Sequence, residues 1–166
     1  QGDFQCIDYF YVKEFVMPFI RVAGDMTIAL NSGSVNTAAE IEFPKLQEIG
    51  GTLTLGTNRN ANNITFPLLK KILGSCSVTT YKLKNDIEFT NLESIGTDGA
   101  DAQIKFEIEA TNILCPKLKT INGKFDIATS SFMFDMEVDK VSYPNVESIS
   151  ENLSITCPYS DFGSNG

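Results

Sequence analysis

The chain has no histidine and no tryptophan, and only 13 of its 166 residues are lysine or arginine. Without histidine there is no Ser-His-Asp triad, no Cys-His dyad, no HExxH zinc site and no side chain that ordinarily titrates near neutral pH. The 21 carboxylates outnumber the basic residues and give a formal net charge of -8. This balance disfavours non-specific nucleic-acid binding, which relies on Lys and Arg to neutralise phosphates, and docking on anionic lipid. Also missing is any apolar run near the ~20 residues that a membrane span needs. The most apolar segment, Phe15 to Val22, is broken by Arg21 and preceded by Lys13 and Glu14. The expectation is a protein with no nucleic-acid partner, no transmembrane segment and no cofactor, and not an enzyme.

What is present suits a globular chain: 42% hydrophobic and 20% charged residues, at a length sufficient for one domain with a core. The pattern is organised around Ile41 to Leu55, IEFPKLQEIGGTLTL. Its two ends, Ile-x-Phe and Leu-x-Leu, alternate with period two, as short half-buried strands do. Pro44 and Gly50-Gly51 lie between them and bend the chain. One such unit has a single apolar side and needs partners to bury it.

The rest of the chain supplies them. Ile64 to Val78 repeats the unit as ITFPLLKKILGSCSV. A copy from Ile87, IEFTNLESIG, has Thr90 in place of the proline; its second strand is delayed by Thr97–Asp101 and resumes at Ile104, Phe106 and Ile108. Ile113 to Ile127 carries Cys115, Pro116, Leu118, Ile121, Gly123 and Phe125 in the same order, and Val141 to Ile155 carries Tyr143, Pro144, Val146, Ile149 and Leu153. A weaker copy precedes them, with Val16, Phe19, Val22, Gly24, Met26 and Ile28 in a register that puts Met17 at the proline position. The positions 17, 44, 67, 90, 116 and 144 are 27, 23, 23, 26 and 28 residues apart. A period of this size marks a solenoid, each coil resting on its neighbours. Six coils at ~4.8 Å make a rod of about 29 Å.

The interruptions are readable too. Phe132, Phe134, Met136 and Val138 alternate within Ser130–Lys140, which is expected to add a strand to the fifth coil. Asp8 to Val16 reads as a capping segment over the open end of the first coil, with a short helix as one form it can take. Gln1-Gly2-Asp3 suits a mature end left by processing. The tail Gly163-Ser164-Asn165-Gly166 is small and polar, as a linker or a GPI attachment site requires.

The segments FPKLQEIGGTLTL, FPLLKKILGSCSV, CPKLKTINGKFDI and YPNVESISENLSI resemble the receptor L-domain family, the β-helical modules of insulin- and EGF-receptor ectodomains. They look closer still to the related fungal GPI-anchored cell-wall organisation proteins. The likeness runs from Phe43 to Ile155, and Pro-x-Leu-x-x-Ile-x-Gly is more distinctive than generic leucine-rich spacing. It implies an all-β, right-handed parallel β-helix, L-domain-like, with one domain over residues 1–158 and a flexible tail over 159–166. It also implies an extracellular, secreted or surface-anchored glycoprotein that binds or organises. The expected partners are a protein or polysaccharide ligand at the cell surface and further copies of the chain. Two alternatives stand beside this, a structural subunit of an extracellular filament and a carbohydrate-active enzyme.

Candidate sites follow from what the copies leave outside. The sequons Asn63-Ile64-Thr65 and Asn152-Leu153-Ser154 are candidate glycosylation sites, Asn63 ahead of a short strand at a corner and Asn152 on the outward face of a longer one. Thr27, Thr52, Thr54, Ser77, Thr79, Lys105, Glu107, Lys124 and Asp126 form a candidate binding face, first a hydroxyl array and then mixed charge. A hydroxyl ladder can hold a polysaccharide; threonine also simply suits strands, and the four charges can pair across strands. Asp135, Glu137 and Asp139 share one strand face and are weak candidates for calcium or for paired carboxylates; Asp98 and Asp101 are weaker. Of the four cysteines, Cys76 and Cys115 occupy inward positions two coils apart and are expected as buried thiols. Cys6 and Cys157 fall near opposite ends, where an intermolecular bridge is one alternative.

Overall fold

Short alternating runs bounded by Pro, Gly and Asn cannot sustain a helix. The computed structural model is accordingly all-β, with no helix among the residues it describes: 2–8, 14–31, 39–58, 61–81, 87–97, 102–108, 113–129 and 145–156. In chain order the first strands are β1 (Phe4–Asp8), β2 (Glu14–Val16), β3 (Arg21–Val22), β4 (Met26–Asn31), β5 (Ala39–Glu42) and β6 (Glu48–Ile49). There follow β7 (Leu53–Asn58), β8 (Ala61–Thr65), β9 (Lys71–Ile72), β10 (Cys76–Tyr81), β11 (Ile87–Glu88) and β12 (Ser94–Ile95). The last are β13 (Ala102–Ile108), β14 (Ile113–Leu114), β15 (Thr120–Ile121), β16 (Gly123–Thr129), β17 (Ser148–Ile149) and β18 (Leu153–Thr156).

These strands form three sheets. Sheet 1 has seven strands in the order β1-β4-β7-β10-β13-β16-β18; sheet 2 has five, β14-β11-β8-β5-β2; sheet 3 has six, β17-β15-β12-β9-β6-β3. All the described pairings are parallel. From β2 onward the chain visits sheet 2, sheet 3 and sheet 1 in turn, which is a β-solenoid. The first five copies of the repeat therefore each supply three strands, and the last supplies β17 and β18 among the described residues, where the sequence pattern shows two per copy. The extra one, such as β6, is two residues long, too short to display an alternation.

The core is built of columns. Phe43, Phe66 and Phe89 are fully buried, and their rings stack with centroids 5.1 Å apart at interplanar angles of 3° and 8°. Leu46, Leu69, Leu92 and Leu118 form a second buried column, and Ile49, Ile72, Ile95 and Ile121 a third. Burying each such side chain contributes roughly 1.5–3 kcal/mol. At the corner before sheet 1 the backbones of successive copies come close: the N–H of Gly51 donates to the carbonyl of Gly24, and that of Gly74 to Gly51. A Cβ on Gly123, whose φ is +150°, would lie 1.9 Å from the Ala102 carbonyl oxygen. Glycine at that position is a steric requirement.

Two expectations for the N-terminal region are corrected. Glu14–Val16 is strand β2, paired with β5, and Phe4–Asp8 is the outermost strand of sheet 1, so no helix caps this end through those residues. The first copy also sits in a different register. Phe15 pairs with Ile41 and Val16 with Glu42, while Met17 donates to the Glu42 carbonyl as Phe43 does to Thr65. Met17 thus holds the Phe43 place and Pro18 that of Pro44; Val16 points outward, 43% exposed. In sheet 3 the pairing of Val22 with Ile49 agrees with the expected alignment. The first copy is one residue shorter at that corner, a deletion that uniform spacing hides.

Candidate functional site

Because the strands of sheet 1 pair in register, their equivalent positions form files running across the strands. One contains Gln5, Thr27, Thr54, Ser77, Lys105, Asp126 and Ser154, directly opposite one another in register. The next contains Ile7, Ala29, Gly56, Thr79, Glu107, Ala128 and Thr156. Thr54 and Thr79 are exposed, and Thr27 and Ser77 are half-buried. Small side chains in both files leave the surface over β4, β7 and β10 low and even, with hydroxyls at intervals of ~4.8 Å across strands. Hydroxyls so spaced can exchange hydrogen bonds with a polyhydroxylated chain lying along the sheet.

Thr52 lies two residues before Thr54. It precedes β7 at the corner, where its N–H donates to Asp25 Oδ1 at 2.7 Å. The same device recurs: the Asp25 N–H donates to Asp3 Oδ1 at 3.0 Å and the Gln103 N–H to Ser75 Oγ at 3.0 Å. Each side-chain oxygen accepts a backbone N–H from a later copy, so these groups are occupied in holding copies together. Lys124 lies opposite Gln103 in this corner file. Its Nζ is 3.9 Å from Glu151 Oε2, an ion pair to the last copy. Of the nine face candidates the structure thus brings Thr27, Thr54, Ser77, Lys105 and Asp126 into one file and Thr79 and Glu107 into its neighbour, and places Thr52 and Lys124 two residues before that first file, at the corner.

Asn152 is exposed just before β18, and its carbonyl accepts the Phe125 N–H. Asn63 lies within β8, opposite Glu40, not ahead of the strand as its sequence context suggested. Asp135, Glu137 and Asp139, the whole of Ser130–Lys140, Asp98, Asp101 and Cys157 are outside the described residues. Among the described residues no three Cys, Asp or Glu side chains are grouped as a metal site would require, and no helix is long and apolar enough to cross a membrane.

Cys76 and Cys115 are buried free thiols. Burial pushes the Cys76 thiol up from 9.0 to about 12. Cys115 is raised further, by burial first and then by the charge Cys76 would carry. Both therefore stay protonated and unreactive in the folded chain. Near the N-terminal end an open hollow of about 420 Å³ is lined by Asp3, Phe4, Phe19 and Arg21.

The sequence pattern missed the outward faces of sheets 2 and 3, since it did not resolve the two-residue strands. A signal was available: the middle residue of Ile-x-Phe is Glu42 in one copy and Glu88 in another, and both are exposed. No protein-family profile matches this chain, and neither does any curated protein or solved structure.

Proposed function

We propose that the chain is a non-catalytic, secreted or cell-surface glycoprotein module that binds a polysaccharide and helps organise an extracellular layer. In this reading it is a right-handed, L-domain-like β-helix of six coils, glycosylated at Asn63 or Asn152. The observation that carries the binding role is the in-register file Thr27, Thr54, Ser77 with Thr79 beside it. That file continues the sheet's own spacing, which suits a linear repeating ligand better than a compact small molecule. The glycoprotein part rests on the two sequons and on the exposure of Asn152. Intact-mass analysis of the protein from its native source tests it. Loss of mass on enzymatic removal of N-linked glycans is the expected result; a mass that the treatment leaves unchanged removes that part of the reading.

A further inference from the structure

Among the described residues the outward face of sheet 2 is acidic, and the sheet 3 side carries more basic than acidic residues. On sheet 2 the described outward residues include Glu14, Glu40, Glu42 and Glu88 and no Lys or Arg. Glu14 and Glu40 are direct cross-strand neighbours. On sheet 3 and the corner leading into it stand Arg21, Lys45, Lys70, Lys71, Lys117 and Lys119, against Glu48, Glu93 and Glu147. Part of that charge is engaged within the chain: Arg21 Nε is 2.9 Å from Glu48 Oε1, Lys119 Nζ is 3.8 Å from Glu147 Oε1, and Lys117 Nζ donates to Asn91 Oδ1 at 2.6 Å, while Lys71 lies directly across from Glu48. The cations still exceed the carboxylates there, in a protein whose net charge is -8.

Large apolar side chains also stand in water on and beside these faces. Val16 is 43% exposed on sheet 2, Ile20 62% exposed just ahead of sheet 3, and Leu68 42% exposed in the turn between the two sheets. Because one chain builds both faces, their strands recur with the same spacing of ~4.8 Å. Val16, Glu42, Thr65 and Glu88 follow one another across sheet 2, and Arg21, Glu48, Lys71 and Ser94 across sheet 3, so two copies lying side by side share one rung spacing.

We propose that sheet 2 of one copy docks on sheet 3 of a second copy, with the rods parallel. The Glu42 and Glu88 carboxylates then face the Lys45, Lys70 and Lys71 ammonium groups, and Val16, Ile20 and Leu68 are covered at the seam. The contact is heterologous, so each copy keeps one free face of each sign and the association propagates. Sheet 1 takes no part in it, and the inference stands or falls independently of the polysaccharide reading.

Sedimentation velocity on the full chain at low and at high salt tests it, with two charge-reversed variants, Glu42→Lys/Glu88→Lys and Lys45→Glu/Lys71→Glu. The wild type is expected to associate at low salt, and the association constant to fall at least about tenfold at high salt. Each variant alone is expected to be monomeric, with an unchanged circular-dichroism spectrum, and an equimolar mixture to associate again because the reversed faces complement each other. The milder Glu42→Gln/Glu88→Gln change, which cannot repel, is expected to weaken association in the same direction. A wild type that stays monomeric at low salt overturns the proposal. So does association that neither salt nor the reversals alter, or a mixture that fails to associate. Retention of a monomeric wild type on sulfated dextran through the basic face also overturns it, assigning that face to an anionic polymer instead.

Discussion

The middle of the rod and its N-terminal end use the same residue type in different ways. Phe43, Phe66 and Phe89 lie flat on one another, each with a neighbour in the next copy. Phe4 meets Phe19 at 68° and Phe43 at 79°, edge to face. Within the ladder, register forces equivalent rings into parallel offset planes at the strand repeat. At the end, where no equivalent phenylalanine continues the column, the ring turns its edge toward the faces it can reach, the other geometry that aromatic quadrupoles favour. On the other side of the column buried Cys115 takes the phenylalanine place in the fourth regular copy. Repetition therefore supplies the strongest packing in the middle and leaves the ends to individual solutions.

The sharpest way to break this comparison is at the glycines. Gly123→Val puts a side chain into the Ala102 backbone and is expected to cost more than about 4 kcal/mol, enough to unfold a marginal domain. A Cβ on Gly56 meets nothing within 4 Å, and Gly56→Thr is expected to be neutral or to stabilise by up to about 1 kcal/mol. Urea midpoints for the two variants check both numbers. The next largest contrast lies in the rings. Phe66→Ala is expected to cost about 3–5 kcal/mol. Phe4→Ala is expected to cost less than half of that, since Phe4 is only half-buried and the end can relax; equal losses would mean that the ends are as tightly packed as the middle.

The buried thiols give a pH test. A folded pKa raised above its unfolded value contributes stability that is present below the unfolded pKa, near 9.0, and is lost as pH rises toward about 12. The slope is roughly 1.4 kcal/mol per pH unit for each such thiol. Denaturant titrations between these limits are expected to show stability falling with pH, with Cys76→Val removing one thiol's share of the slope. Smallest is the corner ladder: Asp25→Ala leaves the Thr52 N–H without its side-chain acceptor and is expected to cost about 1 kcal/mol.

Much of the interior was legible because repetition makes columns visible in one dimension. The inward places of Phe43, Leu53 and Leu55 follow from alternation and those of Leu46 and Ile49 from their recurrence in successive copies, and all five are buried. The third sheet was not legible, because Glu48–Ile49 is two residues between a proline turn and a glycine pair, and a period cannot be read from two residues. The first copy misled because Met17-Pro18 lost one residue relative to Phe43-Pro44, a change that shifts sheet 2 by one residue and leaves sheet 3 in place. For the site, Thr27, Thr54 and Ser77 were legible by strand alternation. Thr52 was not, since its role depends on an aspartate 27 residues earlier. The charge difference between sheets 2 and 3 became visible only once both sheets existed.

The claim at the centre of this account is that stacking occupies the inward residues and that function lies on the even outward face of sheet 1. Its most direct test is retention of wild type and of Thr54→Glu/Thr79→Glu on an array of cell-wall polysaccharides, with unfolding midpoints measured on the same samples. The account predicts that the wild type is retained by at least one polysaccharide and that the variant, equally stable, loses at least about tenfold in affinity. A wild type retained by none, or a variant retained as well as the wild type, would contradict it.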